Sequence, residues 1–228
     1  IPHTNGLGGA AITDHGMAIY FPPEIAWSWS FVSDSRIFDK FRDAGNEKLC
    51  GHLANLARHR DKGIVPGFEA EMMHDGRLTF DDAFRKRLEI IIGSVHFLPV
   101  STDAGCSPED TLKFWKEHTI RLIGSGIHVL GHPFRWIAGQ CPVGESAVRE
   151  IVREAKANNV AVELNSHYKI GTDVLMLQIA AEEDAAVSIA TDAHRPDEIG
   201  AFAYHMEMIR TAGLKLSDLR LLNRRFSR

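Results

Sequence analysis

A parallel α/β fold is the class this sequence predicts, and three observations predict it. Short apolar runs, rich in small and β-branched residues, alternate along the chain with longer stretches of helical periodicity. Six of those runs end in a residue able to bind a metal or make a polar contact. The chain also has the size and composition of one large domain, with 228 residues, 44% hydrophobic and 25% charged. A single domain over residues 1–228 is therefore expected.

Residues 1–9 read as a turn feeding the first strand, with Asn5-Gly6 as the turn signal and His3 as a solvated loop residue. The run Ala10-Ala11-Ile12 then ends in Thr13-Asp14-His15. An aromatic loop follows (Tyr20, Phe21, Trp27, Trp29, Phe31), read either as a lid over the strand ends or as the wall of a substrate pocket. Over 34–60, Ile37, Phe38, Phe41, Leu49, Leu53 and Leu56 recur at helical spacing, predicting one or two surface helices around Gly45 that carry exposed His52 and His59. The strand from Ile64 to Glu69 continues into Ala70-Glu71-Met72, His74-Asp75-Gly76 makes a turn, and 78–88 is a short helical stretch. The strand from Ile90 reaches His96, and a loop over 98–108 leads to a helix over 109–125. Ser107 or Asp110 stands near the cap of that helix, and His118 is expected to face solvent.

The strand from Ile127 to His132 precedes a Pro133-Phe134-Arg135-Trp136 loop and a helix over 145–158. Val160 to Asn165 is the next strand and 172–181 the next helix. The run from Val187 to Ala190 ends in Thr191-Asp192-Ala193-His194, after which Pro196 and Gly200 break regular structure. A helix over 202–212 and a basic amphipathic tail over 217–228 complete the chain.

Composition narrows the function classes. A formal charge of −4 without a basic stripe disfavours tight non-specific binding to nucleic acid. Three cysteines without C-x-x-C spacing argue against a disulfide framework or a cysteine zinc knuckle and make a reducing cytoplasm the default. No apolar run approaches the ~20 residues that span a bilayer, and no signal peptide is visible, so no membrane partner is expected. The chain opens on Ile1 rather than Met, so translation is expected to start upstream.

The strand ends carry the chemistry. His15, Glu69, His96, His132, Asp192 and His194 are the candidate ligands, because polar residues at the carboxyl ends of parallel strands collect into sites. Asp192 and His194, two apart, would share one face of an extended segment. Imidazoles and carboxylates together suit zinc, manganese or iron, and six ligands exceed the needs of one tetrahedral ion. Two or three divalent ions sharing a carboxylate are expected, with Glu69 as the bridge. Such a cluster generates hydroxide near neutral pH and clamps the oxygens of a phosphoester, so hydrolysis of a phosphate ester is the chemistry these ligands suit, and a small phosphorylated substrate is the expected partner. Arg135 and Arg195 follow two ligand-bearing ends and are read either as phosphate holders or as surface residues. Glu163 reads as a packing partner or as an orienting group behind the ligands, and His128 is set aside.

The ordered set Thr-Asp-His (13–15), Gly-Phe-Glu-Ala (67–70), Gly-Ser-Val-His (93–96), Gly-His-Pro (131–133), Glu-Leu-Asn-Ser (163–166) and Thr-Asp-Ala-His (191–194) resembles the PHP, or polymerase and histidinol phosphatase, superfamily. The resemblance spans roughly residues 6 to 200. It implies a distorted (β/α)7 barrel with a trinuclear metal site and hydrolysis of phosphomonoesters such as histidinol phosphate, or of phosphodiesters in nucleotides and nucleic acids. It further implies that Glu69, His96 and His132 serve one metal, that Glu69 bridges to a second bound by Asp192, and that His15 and His194 serve a third. Gly-Ser-Val-His-Phe-Leu (93–98) looks most like the histidinol phosphatase branch.

The family pattern opens with a His-x-His strand and a helix, for which the fourteen residues before His15 leave no room. The first strand and helix are thus expected to be missing, with a truncated sequence as the preferred explanation. Two alternatives stand beside the phosphomonoesterase: an enzyme acting on nucleotides or nucleic-acid ends, and a degenerate, non-catalytic PHP module.

Overall fold

The computed structural model describes residues 7–222, which divide into two compact units, one up to Pro99 and one from Val100. His3, the Asn5-Gly6 turn and the last part of the expected tail lie outside the described residues.

In the first unit three parallel strands stand in sequence order: β1 (Ala10–Ile12), β2 (Ile64–Ala70) and β3 (Ile90–Ser94). The register pairs Ala10 with Ile64 and Gly67 with Ile90. Gly67 is required here. A Cβ on it would stand 2.5 Å from Thr13 Cγ2 and 3.1 Å from the Ile12 carbonyl oxygen, so a larger residue would push β1 away.

The aromatic segment after His15 is not a loop but three short helices: α1 (Gly16–Tyr20), α2 (Pro23–Ala26) and α3 (Ser30–Ser33). Burial explains the difference, since Tyr20, Phe21 and Phe31 form core and the Phe21 and Phe31 rings stack with centroids 4.5 Å apart. Of the one or two helices expected around Gly45, the structure has one. Helix α4 runs unbroken over Arg36–Ala57, and Gly45 lets it approach Tyr20, whose Cδ1 would lie 2.0 Å from an added Cβ. The helical stretch expected at 78–88 is instead a Met72–Leu78 bridge followed by a 3₁₀ turn, Asp82–Arg87, capped by the Asp81 side chain.

The second unit repeats the logic with four parallel strands in sequence order: β4 (Val129–Gly131), β5 (Ala161–Asn165), β6 (Ala186–Ala190) and β7 (Arg220–Leu221). The sequence predicts only a tail over 217–228, but Val187 pairs with Leu221, and a two-residue strand is too short to show an alternation pattern.

Five helices accompany these strands: α5 (Pro108–Ile123), α6 (Arg135–Ala138), α7 (Glu145–Ala157), α8 (Asp173–Glu182) and α9 (Ala203–Thr211). Ser107 caps α5 by accepting the Asp110 N–H at 3.0 Å, with Pro108 in the first turn. On α7, Ala147, Val148, Ile151, Val152 and Ala155 form one buried stripe.

His118 does not face solvent as expected. It lies on the same buried face of α5 as Trp115, Thr119 and Leu122, and burial together with nearby Arg121 pushes its imidazole down to about 4.

The fold class is thus α/β, with parallel strands alternating with helices, as the sequence predicted. Seven strands occur among the described residues, and the one not foreseen is β7. No helix among these residues is long and apolar enough to cross a membrane.

Candidate metal centre

In the first unit the strand ends deliver three predicted ligands to one spot. Glu69 sits near the end of β2, buried, and His15 pairs with it as a single parallel bridge one turn beyond β1. One Glu69 oxygen, Oε2, lies 2.9 Å from His15 Nδ1, and the other, Oε1, lies 3.4 Å from His96 Nε2. The two imidazole rings meet edge to face at 5.1 Å. His96 is oriented from behind: its Nδ1 lies 3.1 Å from Glu71 Oε1. Glu71 is itself fixed, because Thr79 Oγ1 donates to Oε2 at 2.9 Å and accepts the Glu71 N–H at 3.0 Å. Trp29 stacks on the His96 ring with centroids 5.4 Å apart. Asp14, next to His15 in the motif, points elsewhere and pairs with His52 at 3.1 Å, so His52 on α4 is a half-buried partner rather than an exposed residue.

This donor set suits a divalent cation. With Nδ1–H given to Glu71, the Nε2 lone pair of His96 faces the Glu69 carboxylate, an encounter of two acceptors that a cation between them reconciles. Separations of 2.9 and 3.4 Å match the spacing of neighbouring ligands around an ion with bonds of about 2.1 Å. His15, Glu71 and His96 also offer ligand atoms that all lie within 4.8 Å of one another.

In the second unit His132 and Asp192 lie just past their strands with backbones in the left-handed region, φ 28° and 48°. Such conformations cost non-glycine residues roughly 1–3 kcal/mol and collect at functional sites. The expectation that Asp192 and His194 share a face of an extended segment fails for this reason: β6 ends at Ala190 and the backbone reverses at Asp192. His194 is exposed, its Nδ1 2.8 Å from the Asp192 carbonyl oxygen and 3.8 Å from Asp192 Oδ1. His205, buried on α9, donates from Nε2 to the Ala190 carbonyl at 2.9 Å and pins the end of β6.

Glu163 and Asn165 on β5 and Tyr168 after it tie this unit's candidate ligands together. The His132 N–H donates to Glu163 Oε2 at 2.9 Å, and Asn165 Nδ2 donates to the same oxygen at 2.9 Å and to Asp192 Oδ2 at 3.3 Å. Asn165 Oδ1 accepts the N–H groups of His167 and Tyr168, at 2.9 and 3.0 Å. The Tyr168 ring meets His132 edge-on at 5.2 Å, and the Arg135 guanidinium carbon stands 3.5 Å from its centroid. Arg195 lies at the surface against Asp197 and Glu198. His167, His194 and Glu198 form a further group of ligand types, but the Glu198 carboxylate already accepts the His194 and Arg195 N–H groups at 2.8 and 3.2 Å.

The sequence marks Asn165 only as one of the six polar strand ends, and it does not mark Glu71, His167 or Tyr168 as site residues. A signal existed for two of them, because Glu71 and Asn165 each stand two positions beyond a carboxylate on the same strand path and so share its face. Nothing in the sequence marked Tyr168 or His167, which reach the site through a turn.

The sequence profile of the PHP domain matches residues 3–167, more than half of the chain. The chain belongs to the PHP family. It is 22% identical over 216 residues to a probable phosphatase of Syntrophotalea carbinolica (strain DSM 2380 / NBRC 103641 / GraBd1), covering 92% of this chain and 77% of that one. A probable phosphatase of Thermoanaerobacter sp. (strain X514) is 22% identical over 221 residues, covering 93% and 77%. The DNA polymerase/3'-5' exonuclease PolX of Bacillus subtilis (strain 168) is 27% identical over 134 residues, 58% of this chain but only 22% of that much longer protein.

Proposed function

We propose that this protein is a metal-dependent hydrolase of phosphate esters whose substrate is a small phosphomonoester of the histidinol phosphate kind. His15, Glu69, His96, His132, Asp192 and His194 are the ligands of two or three divalent ions of the zinc, manganese or iron class. Bound there, such ions supply hydroxide near neutral pH and neutralise the phosphoryl oxygens. The chain's own groups prepare that chemistry. Glu71 sets the His96 tautomer, Glu69 offers one oxygen toward each of two imidazoles, and Tyr168 braces Arg135 for bidentate contact with a phosphate. Arg195 is the second phosphate-holding residue in this reading. A reducing cytoplasm agrees with its three free thiols.

The observation that carries the proposal is the buried His96 ring held between two carboxylates, Glu71 behind and Glu69 in front. The similarity to PolX gives the alternative, hydrolysis at a nucleotide or nucleic-acid end, its own support. Turnover of histidinol phosphate and of bis(p-nitrophenyl) phosphate with added Mn²⁺ or Zn²⁺ separates the two. The proposal expects the monoester to be hydrolysed faster and both activities to vanish with a chelator. Preference for the diester would favour the alternative, and chelator-resistant turnover would remove the metal from the account.

A further inference from the structure

We infer that Asn165 is a positioning residue that sets Asp192 and His132 for a cation, an inference that rests on the metal-dependent reading above. The carboxamide has two N–H bonds and two oxygen lone pairs, and all four are used. Its nitrogen faces only carboxylate oxygens, Glu163 Oε2 at 2.9 Å and Asp192 Oδ2 at 3.3 Å. Its oxygen faces only donors, the N–H groups of His167 and Tyr168. A flipped amide would set oxygen against two carboxylates and N–H against N–H, so the orientation is chemically fixed.

Two consequences follow from this arrangement. The Asp192 carboxylate gives Oδ2 to Asn165, so Oδ1, which lies 3.8 Å from His194 Nδ1, is the oxygen it would offer a cation. Glu163, buried, takes the His132 N–H through the same oxygen that Asn165 contacts, so Asn165 reaches Asp192 directly and His132 through Glu163. The same carboxamide closes the turn that brings Tyr168 against His132 and Arg135, so a ligand carboxylate and a phosphate-facing guanidinium share one anchor.

The test is Mn²⁺ binding by calorimetry on the full chain, read beside the melting temperature of metal-free protein. Asn165→Asp keeps the acceptor that closes the 167–168 turn but sets oxygen where the N–H donors were. A merely structural role leaves its Mn²⁺ affinity near wild type, whereas a positioning role lowers it about 10- to 100-fold, the usual loss when a group behind a metal ligand is removed. Asn165→Leu, of similar size, is expected to lose at least as much, and where it does not fold Asn165→Asp alone decides. In an Asp192→Asn background the further loss from Asn165→Asp should shrink to about threefold or less, because the carboxylate it acts on is gone. Wild-type affinity in Asn165→Asp, or the full loss repeated in the Asp192→Asn background, overturns the inference while leaving the metal reading intact. Wild-type protein that binds no Mn²⁺ overturns both.

Discussion

Glu71 Oε1 and His96 Nδ1 stand 3.1 Å apart in the core of the first unit, and the far edge of the same ring presents Nε2 to Glu69 at 3.4 Å. A carboxylate behind an imidazole fixes which nitrogen carries the proton and raises the basicity of the other. Glu71→Ala is therefore expected to weaken Mn²⁺ binding about 10- to 100-fold and to lower turnover in parallel. Glu71→Gln, whose amide oxygen still accepts the Nδ1–H, should lose less. Calorimetric titration of both variants checks the order.

Trp29 reports on the same ring. Its indole stacks on His96 with an interplanar angle of 20° and on Phe97 with centroids 6.4 Å apart. Adding Mn²⁺ should quench its fluorescence as the ion engages His96, and Trp29→Phe should remove most of the change while still binding metal. A titration followed by tryptophan emission and by calorimetry distinguishes the reporter from the ligand.

Gly45→Ala puts a methyl group 2.0 Å from Tyr20 Cδ1, in a ring buried against Phe38 and Phe68. Neither α4 nor the ring can yield without disturbing that core, so the substitution should cost about 1–3 kcal/mol. At roughly 2–4 °C per kcal/mol for a chain of this size, a clear fall in melting temperature is expected.

His118 and Asp173 give opposite acid responses. Burial holds the His118 imidazole at about 4 against 6.5, so between these values the unfolded chain binds the extra proton and stability falls as pH falls. Burial raises the Asp173 carboxyl to about 6 from 3.8 despite the Tyr204 hydroxyl donating to it at 2.6 Å. Here the folded chain holds the extra proton, and stability rises as pH falls from 6 toward 4. Their contributions, each on the order of 3 kcal/mol, partly cancel in the wild type. Asp173→Asn should therefore steepen the loss of stability between pH 6.5 and 4, and His118→Leu should reverse it. Melting temperatures across that range decide the sign.

The strands were legible because six of them begin as unbroken apolar runs and end on polar residues, a pattern that local sequence carries by itself. Three kinds of feature were not. Tyr20, Phe21 and Phe31 read as a loop because their helices are one turn long and owe their stability to packing. His118 read as exposed because one polar residue on an amphipathic helix does not reveal how far the buried face extends. Of the candidate ligands, His15, Glu69 and His96 stand together, although the resemblance implied a different metal for His15 than for Glu69 and His96, while Asp192 occupies a left-handed backbone that period-two reasoning could not anticipate. What Asn165 and Glu71 do is not legible in the sequence, because it lies in which polar atoms they face, and that is settled only when strands pair.

The claim beneath the rest is that these histidines and acids are cation ligands and not a satisfied network of protein hydrogen bonds. Metal content by mass spectrometry, after incubation with Mn²⁺ and gel filtration, tests it in wild type and in Glu69→Ala. The account predicts two or three ions per wild-type chain and a loss of at least one on substitution of Glu69, the carboxylate with an oxygen toward each imidazole. A wild-type chain that retains no ion, or a Glu69→Ala chain that retains as many as wild type, contradicts it.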